Sequence, residues 1–273
     1  MTDRVLSGIP TRKRSTSGKI AQILAQVSDD VFVVSQAAET YCDPSFPYLD
    51  RIHVEEFPEN FGVIPARNEI LKRAHDGGYD FVVQSDDDVA FKVETIEAMI
   101  TILRDNPSIG AVTSESRAYF NWSKDMESSQ KFILAPCAAQ LWAARVRIMD
   151  EIGPMEVPYL EDREHGCRLW KAGYAVVALH DTISLSHNPF ISRTNVTGKQ
   201  GGQQETHDGD LHAGLKAAID EMNRRHGDML KLTYEGAKGK SFRSRYNWNF
   251  MLKCVIDRFG YLLDYSDSRG RIL

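Results

Sequence analysis

Three consecutive aspartates, Asp86, Asp87 and Asp88, directly follow residues 79–85, an apolar segment with the composition of a buried strand. Adjacent carboxylates repel one another, and burying them without compensation costs several kcal/mol each or forces protonation. A hard divalent cation would remove that cost, because Mg²⁺ and Mn²⁺ prefer oxygen ligands and bridge readily to a diphosphate. The alternative is structural: one aspartate caps the next helix while the others face water. The triplet is therefore a candidate metal site, and its surroundings decide between the two interpretations.

Strand-like apolar runs alternate with helix-length segments along most of the chain. This alternation predicts an α/β fold with a mixed, mostly parallel sheet flanked by helices. In such sheets ligands bind beyond the carboxyl ends of the strands, which is where the aspartates would lie. The predicted strands cover residues 5–9, 31–34, 52–57, 79–85, 109–113 and 175–179, and the predicted helices cover residues 16–27, 66–75, 93–104, 161–173 and 211–226.

Charge is distributed unevenly along the 273 residues. The whole chain carries a formal net charge of -5, yet residues 224–258 hold nine basic and three acidic side chains. A basic segment on an acidic body indicates a polyanionic partner that docks at one end. The alternative is a solvated helix face with no partner.

Ordinary globular proportions, with 42% hydrophobic and 26% charged residues, exclude a disordered or collagen-like chain. No apolar run is long enough to span a membrane, and the N-terminus does not look like a signal peptide, so no membrane partner is expected. Four widely spaced cysteines without a C-x-x-C pair favour reduced thiols and a cytoplasmic location.

The segments between Phe61 and Asp88 resemble the nucleotide-sugar half of GT-A (Rossmann-like) fold glycosyltransferases. Phe61–Asn68 leads into a helix, which is followed by the strand and the aspartate triplet in the order that this family shows. The resemblance implies a nucleotide diphosphate sugar as donor, with a UDP-sugar as first choice, and Mn²⁺ or Mg²⁺ as cofactor. By the same resemblance Asp86 and Asp88 would hold the metal, and the donor would contact Pro10, Thr11, Arg12, Arg14, Arg67, Asn68, Asp86 and Asp87.

A second part of the resemblance supplies a candidate base. Glu161-Asp162 opens a predicted helix, and Arg168 and Ala172-Gly173-Tyr174 follow as in GT-A enzymes. The resemblance implies that Asp162 removes the proton of the acceptor hydroxyl, with Glu161 beside it in the catalytic pair. The alternative is that both acids only interact favourably with the dipole of the helix.

A histidine beyond this helix completes the metal shell in many GT-A enzymes, which implies His187 as the third ligand and His180 as the fallback. An imidazole among oxygen ligands suits Mn²⁺ better than Mg²⁺. A second metal cluster or, as we favour, a lid over the donor would lie in the polar, glycine-rich segment that includes His207, Asp208, Asp210 and His212.

The C-terminal third interleaves cations with aromatic residues, which fits a nucleic-acid backbone with bases stacked on rings. This composition is similar to that of the bacteriophage TET-associated glycosyltransferases, which implies DNA modification with a hydroxymethylated pyrimidine as acceptor. The alternatives are a small C-terminal core with solvated cations, and a glycan or small-molecule acceptor. The predicted acceptor-binding residues are Lys240, Arg243, Arg245, Tyr246 and Trp248.

The predicted organisation is a GT-A catalytic domain over residues 1–227 with a basic, aromatic-containing extension over residues 228–273 that packs on it. Two other classes of protein remain open. A sugar-nucleotide nucleotidyltransferase would also use acidic metal ligands, but it should have a glycine-rich phosphate loop, which Ser7–Thr11 is not. A non-catalytic carbohydrate- or DNA-binding protein would have no use for a carboxylate cluster beside a separate Glu-Asp pair.

Overall fold

The computed structural model describes residues 3–12, 17–36, 42–89, 91–115, 132–138, 140–183, 208–234 and 242–260. Within these ranges an eight-stranded sheet lies between helices, and a two-stranded hairpin follows it in the chain. The predicted α/β fold with a mixed, mostly parallel sheet is confirmed.

The large sheet has the strand order β3-β2-β1-β4-β7-β5-β8-β6. Strands β1, β2, β3 and β4 pair in parallel, as do β5 and β8, whereas β7 is antiparallel to both of its neighbours and β6 is antiparallel to β8. The sheet strands are β1 Val5–Thr11, β2 Asp30–Gln36, β3 Ile52–Phe57, β4 Phe81–Ser85, β5 Ile109–Glu115, β6 Phe132–Leu134, β7 Leu141–Arg145 and β8 Ala175–Ile183.

The helices follow the apolar periodicity of the sequence closely. A short 3₁₀ turn, Leu49–Arg51, precedes β3. Helix α2 ends where Gly77 caps it and Gly78 adopts a positive φ of 64°, a backbone conformation that favours glycine. The α-helices are α1 Ser17–Leu24, α2 Val63–Asp76, α3 Val93–Asp105, α4 Val146–Ile152, α5 Glu161–Lys171, α6 Asp208–His226 and α7 Trp248–Phe259.

Close packing fixes α2 against the centre of the sheet. A Cβ atom on Gly8, in the fully buried strand β1, would lie 2.2 Å from the Cγ2 atom of Ile70 in α2. The absence of a side chain at Gly8 therefore lets the helix approach the strand. This contact helps to set the position of α2, whose second turn carries the predicted donor residues Arg67 and Asn68.

Residues after position 227 form the hairpin β9 Leu230–Tyr234 and β10 Phe242–Tyr246, which α7 follows. Buried Met229, Leu232 and Met251 belong to the same hydrophobic core as the sheet. Helix α7 also packs on α5 through the edge-to-face contact of Trp170 with Trp248, whose ring centroids are 6.0 Å apart. The described residues of the hairpin and α7 thus pack on the same core as the sheet, and the division of the chain into a catalytic domain and an extension at residue 227 stays a prediction.

No helix in the described ranges is long and apolar enough to cross a membrane. All four cysteines are free thiols: Cys137 and Cys167 are buried, and Cys42 and Cys254 are partly buried. The expectation of reduced thiols agrees with this arrangement.

Candidate active site

The aspartate triplet follows β4 at the carboxyl edge of the sheet. Strand β1 runs parallel to β4 and ends at the same edge, so that Thr11 reaches the triplet. The Thr11 hydroxyl donates a hydrogen bond to Oδ2 of Asp87 over 2.7 Å. Asp87 and Asp88 are only 8% and 4% exposed. The triplet is therefore built into the sheet edge, and two of its three members are buried.

Arg67, in the second turn of α2, supplies a positive charge to this edge. Its guanidinium Nη2 donates to Oδ1 of Asp86 over 2.6 Å, and only 5% of its side chain is exposed. The side-chain amide of Gln84 in β4 donates to the Arg67 carbonyl over 3.1 Å, which ties the helix start to the strand. A buried pair of this kind must be well placed to offset the desolvation of both charges.

These contacts weaken the sequence-based prediction that the triplet needs a metal ion to compensate its charge. The triplet was expected to need a cation to compensate its charge, but Arg67 and Thr11 already contact two of the three carboxylates. The triplet can thus be buried for structural reasons, and a metal ion has to be argued from ligand chemistry. Carboxylate oxygens grouped at a ligand-binding sheet edge are donors that Mg²⁺ and Mn²⁺ accept. Asp86 and Asp88 fit that requirement by type and place.

The described residues do not provide a third protein ligand for a metal. Among them, no group of three or more His, Cys, Asp or Glu side chains could hold an ion. His187 and His207 lie outside the described residues, and His180 lies in β8 with its side chain outside them. Asp208, Asp210 and His212 belong to the start of α6, whose side chains there are likewise outside the description. These ligand assignments stay predictions.

Gln140 is a member of the site that sequence reasoning missed. Its carbonyl accepts a hydrogen bond from the Asp86 amide over 2.7 Å, and its backbone adopts a positive φ of 61°. This conformation is uncommon for a residue with a Cβ atom and persists where the surrounding structure enforces it. A glutamine carries no sequence signal for such a turn, so only the structure could reveal it.

The two candidate catalytic acids, Glu161 and Asp162, lie at the start of α5, as predicted. Burial and the neighbouring carboxylate of Asp162 raise the pKa of Glu161 above its usual range, the charge of Arg67 lowers this pKa, and Asp86 raises it further. The start of α5 is therefore near enough to Arg67 and Asp86 for their charges to shift the pKa of Glu161. That the predicted base and the predicted donor residues act in one site stays a prediction.

Buried polar groups hold the rest of α5. Glu164 is fully buried and accepts from Nη2 of Arg168, one turn later, over 2.9 Å. His165 packs beside Trp142 of β7 with ring centroids 6.1 Å apart, and burial lowers the pKa of His165 to about 3, which keeps its imidazole neutral. These residues lie behind the Glu-Asp pair, where they fix the helix that carries it.

The side chain of Asn68 bonds the backbone of the loop that precedes α5. Its side-chain Nδ2 donates to the Met155 carbonyl over 3.0 Å, and the Met155 amide donates to its Oδ1 over 2.9 Å. Both polar atoms of the amide thus have a backbone partner in the loop that precedes α5. Donor binding by Asn68 stays a prediction that these contacts do not support.

Two of the remaining predicted donor residues lie at the end of β1. Pro10 is buried in the strand, and Arg12 lies partly buried directly after it. Arg14 lies outside the described residues. The described part of the basic loop thus begins at the sheet edge that carries the triplet.

The predicted acceptor residues divide into two groups. Tyr246 and Trp248 are partly buried and pack against the core, with their ring centroids 6.0 Å apart, and burial raises the pKa of Tyr246. These contacts support the alternative of a small C-terminal core over stacking with bases. Arg245 is exposed on β10, whereas Lys240 and the side chain of Arg243 lie outside the described residues. Acceptor contact by these five residues stays a prediction.

Comparison with solved structures finds the same fold in glycosyltransferases. The mannosyltransferase PcManGT from Pyrobaculum calidifontis, in complex with GDP-Man and Mn²⁺, matches with a TM-score of 0.53 and 17% identity over 81% of this chain and 64% of that one. S. aureus TarS 1-349 in complex with UDP-GlcNAc matches with a TM-score of 0.52 and 13% identity over 81% of this chain and 66% of that one. The chain therefore spans less than two thirds of the length of either structure.

The comparisons define the class of fold: this chain has the GT-A fold that these glycosyltransferases share. More particularly, residues 33–151 match the model of Glycosyl transferase family 2, a segment that includes α2, the aspartate triplet and β7. A comparison with curated protein sequences finds no match.

Proposed function

We propose that this protein transfers a sugar from a nucleotide diphosphate sugar to an acceptor hydroxyl with the help of a divalent cation. The observation that supports this most directly is the electrostatic contact of Glu161, at the start of α5, with the Arg67–Asp86 pair. A transferase needs a base within reach of the diphosphate that leaves, and this electrostatic interaction supports such an arrangement. A binding protein would gain nothing from that combination.

Asp162 is the proposed base. It would take the proton of the acceptor hydroxyl while the acceptor oxygen bonds to the anomeric carbon and the bond from that carbon to the diphosphate breaks. The raised pKa of Glu161 makes it the competing candidate, because a base is most effective when its pKa lies near the working pH. Substitution of each carboxylate separates the two assignments.

Asp86 and Asp88 would hold Mn²⁺ or Mg²⁺, which would supply positive charge to the departing diphosphate. Arg67 would keep the Asp86 carboxylate in place for this task, and Thr11 does the same for Asp87. The complex of PcManGT with GDP-Man and Mn²⁺ supports the choice of metal by analogy of fold.

A polyanionic acceptor is the choice that the charge pattern supports, and DNA with a hydroxymethylated pyrimidine is the first form to test. Lys231 of β9 lies directly opposite Arg245 of β10, and both are exposed. Like charges opposite one another on a hairpin destabilise it unless an anion compensates them. The charge pattern supports an anionic partner at the hairpin and less so elsewhere in the basic segment. There Arg224, Arg225 and Arg258 are already paired with Glu221, Glu156 and Glu151.

A panel of nucleotide sugars tests the proposal in the presence of Mn²⁺. The cognate donor should raise the melting temperature by mass action. With that donor, release of nucleoside diphosphate should depend on the acceptor, for which hydroxymethylated DNA, a glycan and a small alcohol are compared. A nucleotidyltransferase would release pyrophosphate from a nucleoside triphosphate instead, and a binding protein would release nothing.

Substitution of the proposed base gives the sharper test. We expect Asp162→Asn to keep the donor affinity of the wild-type protein and to lose about 10²-fold or more in kcat, because proton transfer is removed while binding is not. Glu161→Gln serves as the matched neighbour and should retain more activity. The opposite order of the two variants would move the role of base to Glu161.

A further inference from the structure

The loop that leads into the Glu-Asp pair is held from several sides. We call residues 153–160 the base loop, because α5 begins immediately after it. Arg168 of α5 donates through Nη1 to the Ile152 carbonyl over 2.7 Å and also bonds the Pro154 carbonyl. Arg225 of α6 pairs with Glu156 within the loop. These contacts come from the half of the chain that carries the base.

One contact comes from the other half. Asn68, in the second turn of α2, makes the two hydrogen bonds with the backbone of Met155 that are described above. The two residues are 87 positions apart in the chain. Met155 is itself buried, at 3% exposure, so the pairing is shielded from water. Hydrogen bonds to buried backbone groups are costly to lose, because the group left behind keeps no partner.

The neighbouring residue gives this contact its meaning. Arg67 bonds Asp86 of the aspartate triplet, and Asn68, the next residue, bonds the base loop. Two consecutive residues of α2 therefore connect the proposed diphosphate site with the segment that positions the proposed base. The second turn of α2 thus links the aspartate triplet to the base loop.

We propose that Asn68 is a positioning residue, which sets the place of the Glu161-Asp162 pair relative to the donor by clamping Met155. This inference rests on the proposed function. It differs from the donor-binding role that the sequence predicts for Asn68, and the two roles have opposite kinetic consequences. A donor ligand acts on donor affinity, whereas a positioning residue acts on kcat, since misplacing a reacting group by about 1 Å costs on the order of a hundredfold in rate.

Asn68→Ala and Asn68→Asp test the clamp in the full-length chain. Hydrogen exchange followed in peptides from residues 153–160 should be faster in Asn68→Ala, because the Met155 amide loses its acceptor. Asn68→Asp keeps an acceptor for that amide and loses the N–H donor, so it should show a smaller change. Lys72→Ala on the exposed face of α2, where Lys72 pairs with Asp76, is the control and should leave exchange in the loop unchanged.

Kinetics and binding complete the experiment. We expect Asn68→Ala to lower kcat at least tenfold while the donor KM and the affinity for UDP with Mn²⁺ stay within about twofold of the wild-type values. A loss of UDP affinity with unchanged exchange in the base loop would overturn the proposal and restore a donor-binding role. Faster exchange with unchanged kcat would also overturn it, since the clamp would then not position the base. A wild-type protein that turns over no nucleotide sugar would refute the proposed function, while the exchange data would still report on the clamp.

Discussion

At the scale of single residues, the site depends on how a few charged groups are compensated. Arg67 neutralises Asp86 and also acts on Glu161, which lies close enough for its pKa to respond to both. The pKa of Glu161 thus depends on the charges of Asp162, Arg67 and Asp86 together. Burial and the adjacent carboxylates outweigh the single guanidinium, so its proton is held more tightly than in water.

The pH dependence of stability should reveal this proton. The pKa of Glu161 is raised from 4.5 to about 7, so the folded state retains a proton that the unfolded state has released between these values. The contribution of Glu161 to stability is full below the unfolded pKa and is lost as the pH rises through the folded pKa. In the presence of a chelator we therefore expect the free energy of unfolding of the wild-type protein to fall between about pH 4.5 and pH 7, by on the order of 3 kcal/mol relative to Glu161→Gln.

Urea denaturation across this pH range checks the prediction. Glu97→Gln, an exposed substitution on α3, is the matched control and should follow the wild-type profile. If Glu161→Gln follows the wild-type profile as well, Glu161 carries no retained proton and its role in the site has to be revised.

At the scale of elements, α5 is the part on which the site depends most, and its position is set by a close backbone contact. A Cβ atom on Gly166 would lie 2.6 Å from the Pro136 carbonyl oxygen and 2.7 Å from Cys137 Cα. Backbone atoms cannot move aside as a flexible side chain can. The glycine therefore allows α5 to lie directly on residues 136–137.

Gly166→Ala should displace α5 and with it the Glu-Asp pair. Overpacking of this kind costs about 1–3 kcal/mol, and the helix propensity gained by alanine returns no more than about 1 kcal/mol. We expect a lower melting temperature together with a reduced kcat, measured by calorimetry and by nucleoside diphosphate release. Glu97→Ala should change neither, and an unaffected Gly166→Ala would mean that α5 tolerates the shift.

The sequence predicted the elements better than their contacts. Apolar periodicity located α2, β4, α3 and the start of α5, because each buries one face or lies wholly within the core. It also located β3, which is an edge strand with no buried residue. It missed β7, which inserts antiparallel between β4 and β5, and the hairpin of β9 and β10, since strand pairing depends on residues far apart in the chain.

The candidate site was predictable to the same extent. Residue types at the sheet edge and at the start of α5 indicated which chemistry the site could perform. The partners of Arg67 and Asn68 lie 19 and 87 positions away, and the conformation of Gln140 has no local signal, so neither could be obtained from one sequence. The compensation of the triplet by Arg67 is the clearest case, because it changed the argument for a metal.

At the scale of the whole molecule, the distribution of charge separates an acidic body from a C-terminal face on which Lys231, Arg245 and Lys253 are exposed. Arg224, Arg225 and Arg258 are paired with glutamates, so among the side chains that the structure describes in the basic segment, Lys231, Arg245 and Lys253 remain exposed cations that could meet an anion. A polyanionic acceptor would meet this face first.

Binding of duplex DNA at several salt concentrations tests that expectation. The affinity should fall as salt rises, and the double variant Lys231→Ala/Arg245→Ala should bind more weakly with a shallower salt dependence, because fewer counterions are released. Lys216→Ala on α6, where Lys216 already pairs with Asp220, should bind as the wild-type protein does. Equal binding by all three proteins would remove the hairpin from any account of the acceptor.

Calorimetric titration of the cognate nucleotide sugar into wild-type protein and Asp88→Ala, each with Mn²⁺ and with a chelator, asks whether the edge beyond β4 grips a sugar-linked diphosphate through an ion. The wild-type protein should bind the donor strongly only with Mn²⁺, and Asp88→Ala should bind it weakly in both conditions. Tight binding by the wild-type protein in chelator, or metal-dependent binding that survives in Asp88→Ala, would contradict this account.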